Sequence, residues 1–78
     1  MKKTILITGA AGGIGKQTAL FFAEKGWNVI ATMILINLAD DLATTPNVFC
    51  YELDVTSTDS ISKAKDMILN KHKTIDVG

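Results

Sequence analysis

Residues 6–18 of the chain read LITGAAGGIGKQT and hold four of its six glycines, at positions 9, 12, 13 and 15. An apolar, partly β-branched run over residues 3–8 leads into this stretch, and a helix-like pattern leaves it. A strand without polar alternation is usually covered on both faces, as in a parallel sheet. Glycines allow a sharp bend and let a ligand come close to the backbone without meeting a Cβ. The first turn of the helix that follows offers unpaired N–H groups and the positive end of a dipole. Strand, glycine turn and helix together suit a phosphate group.

Outward from the turn, the pattern predicts a helix over residues 13–25. Ile14, Thr18, Phe21, Phe22 and Lys25 follow the 3–4 spacing of one face, and Ala19 and Ala23 widen it. Gly26 supplies the stop. Residues 27–33 read as a second strand. Asn37 is positioned to cap a short helix over residues 38–43, which Thr44-Thr45-Pro46 ends. Residues 47–53 read as a third strand. The TSTD of residues 56–59 has the form of a capping box. It opens a helix with Ile61, Ala64, Ile68, Leu69 and His72 on one face, and residues 74–78 begin a fourth strand. Strands alternating with helices imply right-handed crossovers and a parallel α/β sheet.

Composition narrows the function classes. Eight basic and eight acidic residues cancel, so no basic field exists to draw nucleic acid or an anionic membrane surface. The longest apolar run, residues 29–39, is shorter than the ~20 residues that span a bilayer. The amino-terminal apolar run is too short for a targeting signal. Cys50 is the single cysteine, which excludes an internal disulfide and a cysteine zinc cluster and fits a reducing, cytoplasmic compartment. Its simplest role is that of a small buried hydrophobe. A chain of 78 residues makes one small domain, burying only ~60% of its unfolded surface.

Three phosphate-binding spacings compete for the glycine turn. The fingerprint G-x-G-x-x-G started at Gly13 meets Thr18 at its sixth position. The P-loop pattern, laid on residues 10–17, meets Ala10 in place of its first glycine and Gln17 in place of its magnesium-binding hydroxyl. The third fits: Thr8-Gly9-x-x-x-Gly13-Ile14-Gly15 resembles the TGxxxGIG turn of the short-chain dehydrogenase/reductase family. KQTALFFAEKGWNVI, residues 16–30, resembles that family's first helix and second strand, and LDVTSTDSI, residues 53–61, its segment after the third strand.

The resemblance implies a Rossmann-like doubly wound sheet and NAD or NADP as cofactor. It implies that Gly9 starts the turn, that Gly13 lets the pyrophosphate lie close, and that Gly15 lets helix and strand pack together. Ile14 offers its backbone amide to a phosphate, while its side chain is expected to serve the core. Asp54 receives the adenine amino group, as a carboxylate accepts from an exocyclic NH₂, and Val55 lines the adenine slot. NAD and NADP are told apart about 20 residues beyond the glycines. Met33 and Ile34 stand at those discriminating positions, and neither side chain can hydrogen-bond. Asp40 and Asp41 reach the ribose only with a slip in register.

The family's reacting groups are a Tyr-x-x-x-Lys pair with a serine, in which the lysine lowers the phenol's pKa for proton transfer. The one tyrosine, Tyr51, is followed at that spacing by Val55. His72, the one histidine, reads as a helix-terminal residue with no catalytic task, and Lys16 as part of a solvated face. Residues 1–78 are therefore expected to form a partial NAD(P)-binding domain, truncated to about three strands and three helices and stopping at the start of a fourth strand. No catalytic residue and no metal site is expected. In the order 3-2-1-4 the stub leaves the first strand an apolar, unpaired edge, which predicts self-association or partial folding. The rival readings are a P-loop-like nucleotide hydrolase and a non-catalytic Rossmann-like binding or dimerisation module.

Overall fold

The computed structural model describes residues 3–10, 12–34, 41–72 and 75–77, with Asp41 through its backbone alone. The elements are β1 (Thr4–Ile7), α1 (Gly13–Glu24), β2 (Asn28–Met33), α2 (Asp41–Thr44), β3 (Val48–Glu52) and α3 (Thr58–Lys71). Among the described residues the strands form one parallel sheet in the order β1-β2-β3, the half-sheet of a Rossmann-like fold. Ile5 sits opposite Val29, and Val29 opposite Val48. The expected Asn37 cap and the first residues of the short helix lie outside the described residues, as do Asp40 and the Asp41 side chain.

Both faces of the sheet are covered, which explains its unbroken apolar strands. On one face Ile5, Ile7, Val29, Ala31, Met33 and Val48 pack with Ala19 and Ala23 of α1 and Leu42 of α2. Cys50 is half-buried against this cluster, and burial pushes its thiol up. On the other face Ile30 meets Ala64 and Ile68 of α3, with Leu6, Tyr51 and Leu53 alongside.

The buried face of α1 keeps Ala19, Ala23 and Phe22 of the expected one but not Ile14 or Phe21. Ile14 is 85% exposed and Phe21 54% exposed, while Ala19 and Ala23 are buried. Gly15, Ala19 and Ala23 recur every fourth position, so the smallest side chains meet the sheet and the helix lies close to it. Leu20 and Phe22 are the large residues that pack inward, Phe22 edge-on to Trp27 at 4.9 Å between ring centroids. The Ile14 side chain thus does not serve the core. Lys25 is the C-cap of α1, and Gly26 takes φ +86°, the left-handed stop its position called for.

The α3 cap also shifts by one residue. Ser57, not Thr56, is the N-cap, and its hydroxyl accepts from the Ser60 backbone N–H at 3.3 Å. Asp59 in the first turn and Lys71 in the last complement the helix dipole.

The expectation of an unpaired outer edge on β1 is corrected. Residues 75–77 run parallel to it, with Ile5 paired to Val77. The Leu6 amide donates to the Val77 carbonyl at 2.8 Å, and the Asp76 amide to the Thr4 carbonyl at 2.9 Å. The Asp76 carboxylate accepts from the Thr4 amide at 2.7 Å, so a side chain completes what the short strand leaves over. The order is that of a doubly wound sheet, 3-2-1-4, with a minimal fourth member.

Candidate functional site

The glycine turn occupies the carboxyl edge of the sheet, between the end of β1 and the start of α1. Gly9 and Gly13 take φ +65° and +58°, a region that favours glycine, and a Cβ on either would meet no protein atom within 4 Å. Conformation rather than crowding requires glycine there. Gly15 is the opposite case. A Cβ there would overlap the carbonyl oxygen of Gly9, so α1 reaches the turn only without one.

The N-cap of α1 is Gly12, whose backbone is extended and which has no side chain to bond the first-turn amides. α3, by contrast, carries its Ser57 cap. The amino end of α1 therefore presents backbone N–H groups and a positive dipole end at an open, glycine-lined surface. Gly12, Gly13 and Ile14 are all exposed there.

Thr32, which sequence reasoning did not single out, anchors the turn. Its hydroxyl donates to the Ile7 carbonyl at 2.9 Å, and its own carbonyl accepts from the Ala10 amide at 2.9 Å. Thr32 and Ala10 are buried. The one sequence signal was a hydroxyl inside the apolar run of residues 29–33, which has to find a partner when buried.

A cleft of about 250 Å³ opens where the three strands end. Thr8 and Gly9 come from the turn, Thr32, Met33 and Ile34 from β2 and its exit, and Leu53 and Val55 from beyond β3. Of the expected site residues it gathers Gly9, Val55, Met33 and Ile34. Gly13, Ile14 and Gly15 stand on the α1 side of the turn, and Asp54 is not among the lining residues. Ile34 and Val55 are 64% and 60% exposed, so two apolar side chains flank the opening.

Asp54 is held by its own loop. Its Oδ1 accepts from the Thr56 hydroxyl at 2.6 Å and the Thr56 amide at 2.9 Å. These bonds keep the Asp54 carboxyl below the ordinary carboxylate range. The Asp54 amide donates to the Ser60 hydroxyl at 2.9 Å, tying the loop to α3. An ionised carboxylate on a braced loop, with Oδ2 outside these bonds, is a fitting acceptor for an amino group.

Tyr51 lies on the α3 face, outside the cleft. Its hydroxyl is 3.1 Å from His72 Nε2, and the His72 ring sits 4.7 Å from that of Phe49. Burial raises the Tyr51 phenol, and burial with Lys71 nearby lowers the His72 imidazole. His72 closes α3 through its amide, which donates to the Ile68 carbonyl at 2.7 Å. No group of metal-ligating side chains stands together among the described residues. No helix among them is long and apolar enough to cross a membrane.

The model of the short chain dehydrogenase family matches residues 3–77. The 3-oxoacyl-[acyl-carrier-protein] reductase FabG of Thermotoga maritima is 42% identical over 80 residues, covering 96% of this chain and 32% of that protein. Mouse retinol dehydrogenase 13 is 33% identical, covering 96% of this chain and 25% of that protein. A solved short-chain dehydrogenase from Streptomyces avermitilis superposes with a TM-score of 0.89 at 29% identity, over 97% of this chain and 29% of that one. A hydroxysteroid dehydrogenase from Escherichia coli gives 0.85 at 30% identity, over 96% of this chain and 34% of that one. The chain thus spans about a third or less of the length of the relatives it matches.

Proposed function

The chain belongs to the short-chain dehydrogenase family, and from that premise we propose that it is the nucleotide-binding, amino-terminal part of a nicotinamide-dependent oxidoreductase interconverting carbonyl and alcohol groups. The observation that carries the proposal is a cleft at the strand ends that Thr8 and Gly9 of the glycine turn help to line, with the uncapped amino end of α1 at the far side of the same turn. In doubly wound sheets ligands sit at the carboxyl ends of the strands.

The residues present fit a dinucleotide. Gly9 and Gly13 leave open space over the turn, and the overlap a Cβ would cause at Gly15 keeps that position bare. The amides of Gly13 and Ile14, with the α1 dipole, would hold the pyrophosphate. Asp54 would accept from the adenine amino group, and Val55 would line the adenine slot. The bound nicotinamide supplies or accepts a hydride. This chain's own residues bind and orient the adenosine half. Tyr51, engaged with His72 on the other side of β3, is not placed to move a substrate proton. The serine and the Tyr-x-x-x-Lys pair belong to the part of such an enzyme that this chain does not span. A cytoplasmic setting is part of the same reading, supported by the single unpaired Cys50.

Calorimetric titration with NADH, NADPH and ATP tests the reading. Met33 and Ile34 give neither the 2′-hydroxyl nor the 2′-phosphate a hydrogen-bonding side chain, so both dinucleotides are needed. Binding of a dinucleotide without magnesium, weakened at least about tenfold by Gly13→Ala, is expected. Magnesium-dependent binding of ATP alone would point to the P-loop reading. Tight dimerisation with no nucleotide affinity would point to the binding-module reading.

A further inference from the structure

Among the described residues, no charged side chain lines the cleft at the strand ends. Part of its rim lies where β2 ends, the place at which doubly wound folds read the 2′ substituent of an adenosine ribose. Ile34 lines it from the β2 side and Val55 from beyond β3. Parallel pairing fixes what stands nearby. Met33 lies opposite Glu52 in register, and the Leu53 amide donates to the Met33 carbonyl at 2.7 Å. Leu53 and Val55 both line the cleft, so Asp54 between them stands beside the same rim, held ionised by Thr56. Cations are distant in sequence. Residues 27–62 contain no lysine, arginine or histidine but five acidic residues. Lys16, the first cation after the glycine turn, belongs to α1 and is not among the lining residues. A 2′-phosphate is a monoester carrying roughly 1.5–2 negative charges near pH 7. Laid against Ile34 and Val55, it would give up water without gaining a cation, beside the Asp54 carboxylate. A 2′-hydroxyl is neutral. Ile34 and Val55 are more than half exposed, so the hydroxyl keeps water as its partner there.

We propose that this chain selects the dinucleotide with a free 2′-hydroxyl, NAD(H), over NADP(H), and does so by apolar exclusion at Ile34 and Val55 rather than by a carboxylate grip on the ribose. The proposal rests on the nucleotide-binding reading above and adds the sense of the discrimination. Calorimetric titration of the chain and its variants with NADH and NADPH tests it. NADH should bind at least about tenfold more tightly than NADPH. Ile34→Arg supplies a cation at the rim and should move the affinity ratio toward NADPH by at least about tenfold. Ile34→Lys should move it in the same direction and gives a second reading if the first variant does not fold. Leu69→Arg adds the same charge on α3, away from the cleft, and should leave the ratio unchanged. Equal affinities, or tighter binding of NADPH, would overturn the proposal and leave the nucleotide-binding reading standing. So would a ratio that neither Ile34 variant moves in folded form. A ratio that Leu69→Arg moves as far as Ile34→Arg would also overturn it, because net charge and not the rim would then decide. Binding of neither dinucleotide to the folded chain would overturn both readings together.

Discussion

Gly9 and Gly15 need glycine for different reasons, and substitutions should separate them. Gly9 has room for a side chain but an uncommon φ of +65°, which asparagine tolerates better than other L-residues. Gly9→Asn should therefore keep most of the stability in a urea titration. Gly15→Ala and Gly15→Ser both drive a side chain into the Gly9 carbonyl and should each lose roughly 1–3 kcal/mol, the usual range for overpacking. The motif letters were legible in sequence because they follow from turn geometry. The role of Thr32 was not, since its two bonds join segments about 25 residues apart, Ile7 and Thr32 among them. Burial and Lys71 depress His72, so the unfolded chain takes up that proton first as pH falls through about 6.5. Stability present above that value should be lost progressively as pH drops through the native pKa. Asp54 acts in the same direction at lower pH, because its bonds to Thr56 favour the ionised form in the folded state. Urea midpoints measured from pH 7.5 to 4.5 should fall for the native chain, and His72→Gln should flatten that fall.

The order and type of the elements were legible, because strand runs, glycine stops and a hydroxyl-rich cap are local signals. The inward face of α1 was legible only in part, through Ala19, Ala23 and Phe22. A periodicity led by large residues chose Ile14 and Phe21, whereas close approach of the helix to β1 selects Gly15, Ala19 and Ala23. The α3 cap was misplaced by one residue because Thr56 and Ser57 both carry hydroxyls. Only the fold commits Thr56 to Asp54 and Ser57 to the helix. Their substitutions should diverge accordingly. Ser57→Ala should cost about 0.5–2 kcal/mol, as lost N-caps do. Thr56→Ala should leave α3 nearly as stable and raise the Asp54 pKa, which carboxyl NMR titration reads directly.

For the molecule as a whole, the margin is small. A single core in a chain of this size rarely supplies more than about 3–5 kcal/mol. Ile30 is fully buried at the centre of the sheet, and Ile→Ala at such a site costs about 2–5 kcal/mol. Ile30→Ala should therefore leave the isolated chain largely unfolded by circular dichroism at 25 °C. The sheet order was readable from the alternation of elements, but the manner in which residues 75–77 and the Asp76 carboxylate cover β1 was not. That depends on a side chain replacing a backbone partner, which no periodicity encodes. The most direct test of the nucleotide-binding role is an amide NMR titration of the labelled chain with ADP-ribose, which carries the adenosine and pyrophosphate alone. Saturable shifts should concentrate at Gly9, Gly13, Ile14, Gly15 and Val55 and leave the His72 end of α3 unmoved. Shifts confined to α3, or none at millimolar ligand on a folded chain, would contradict it.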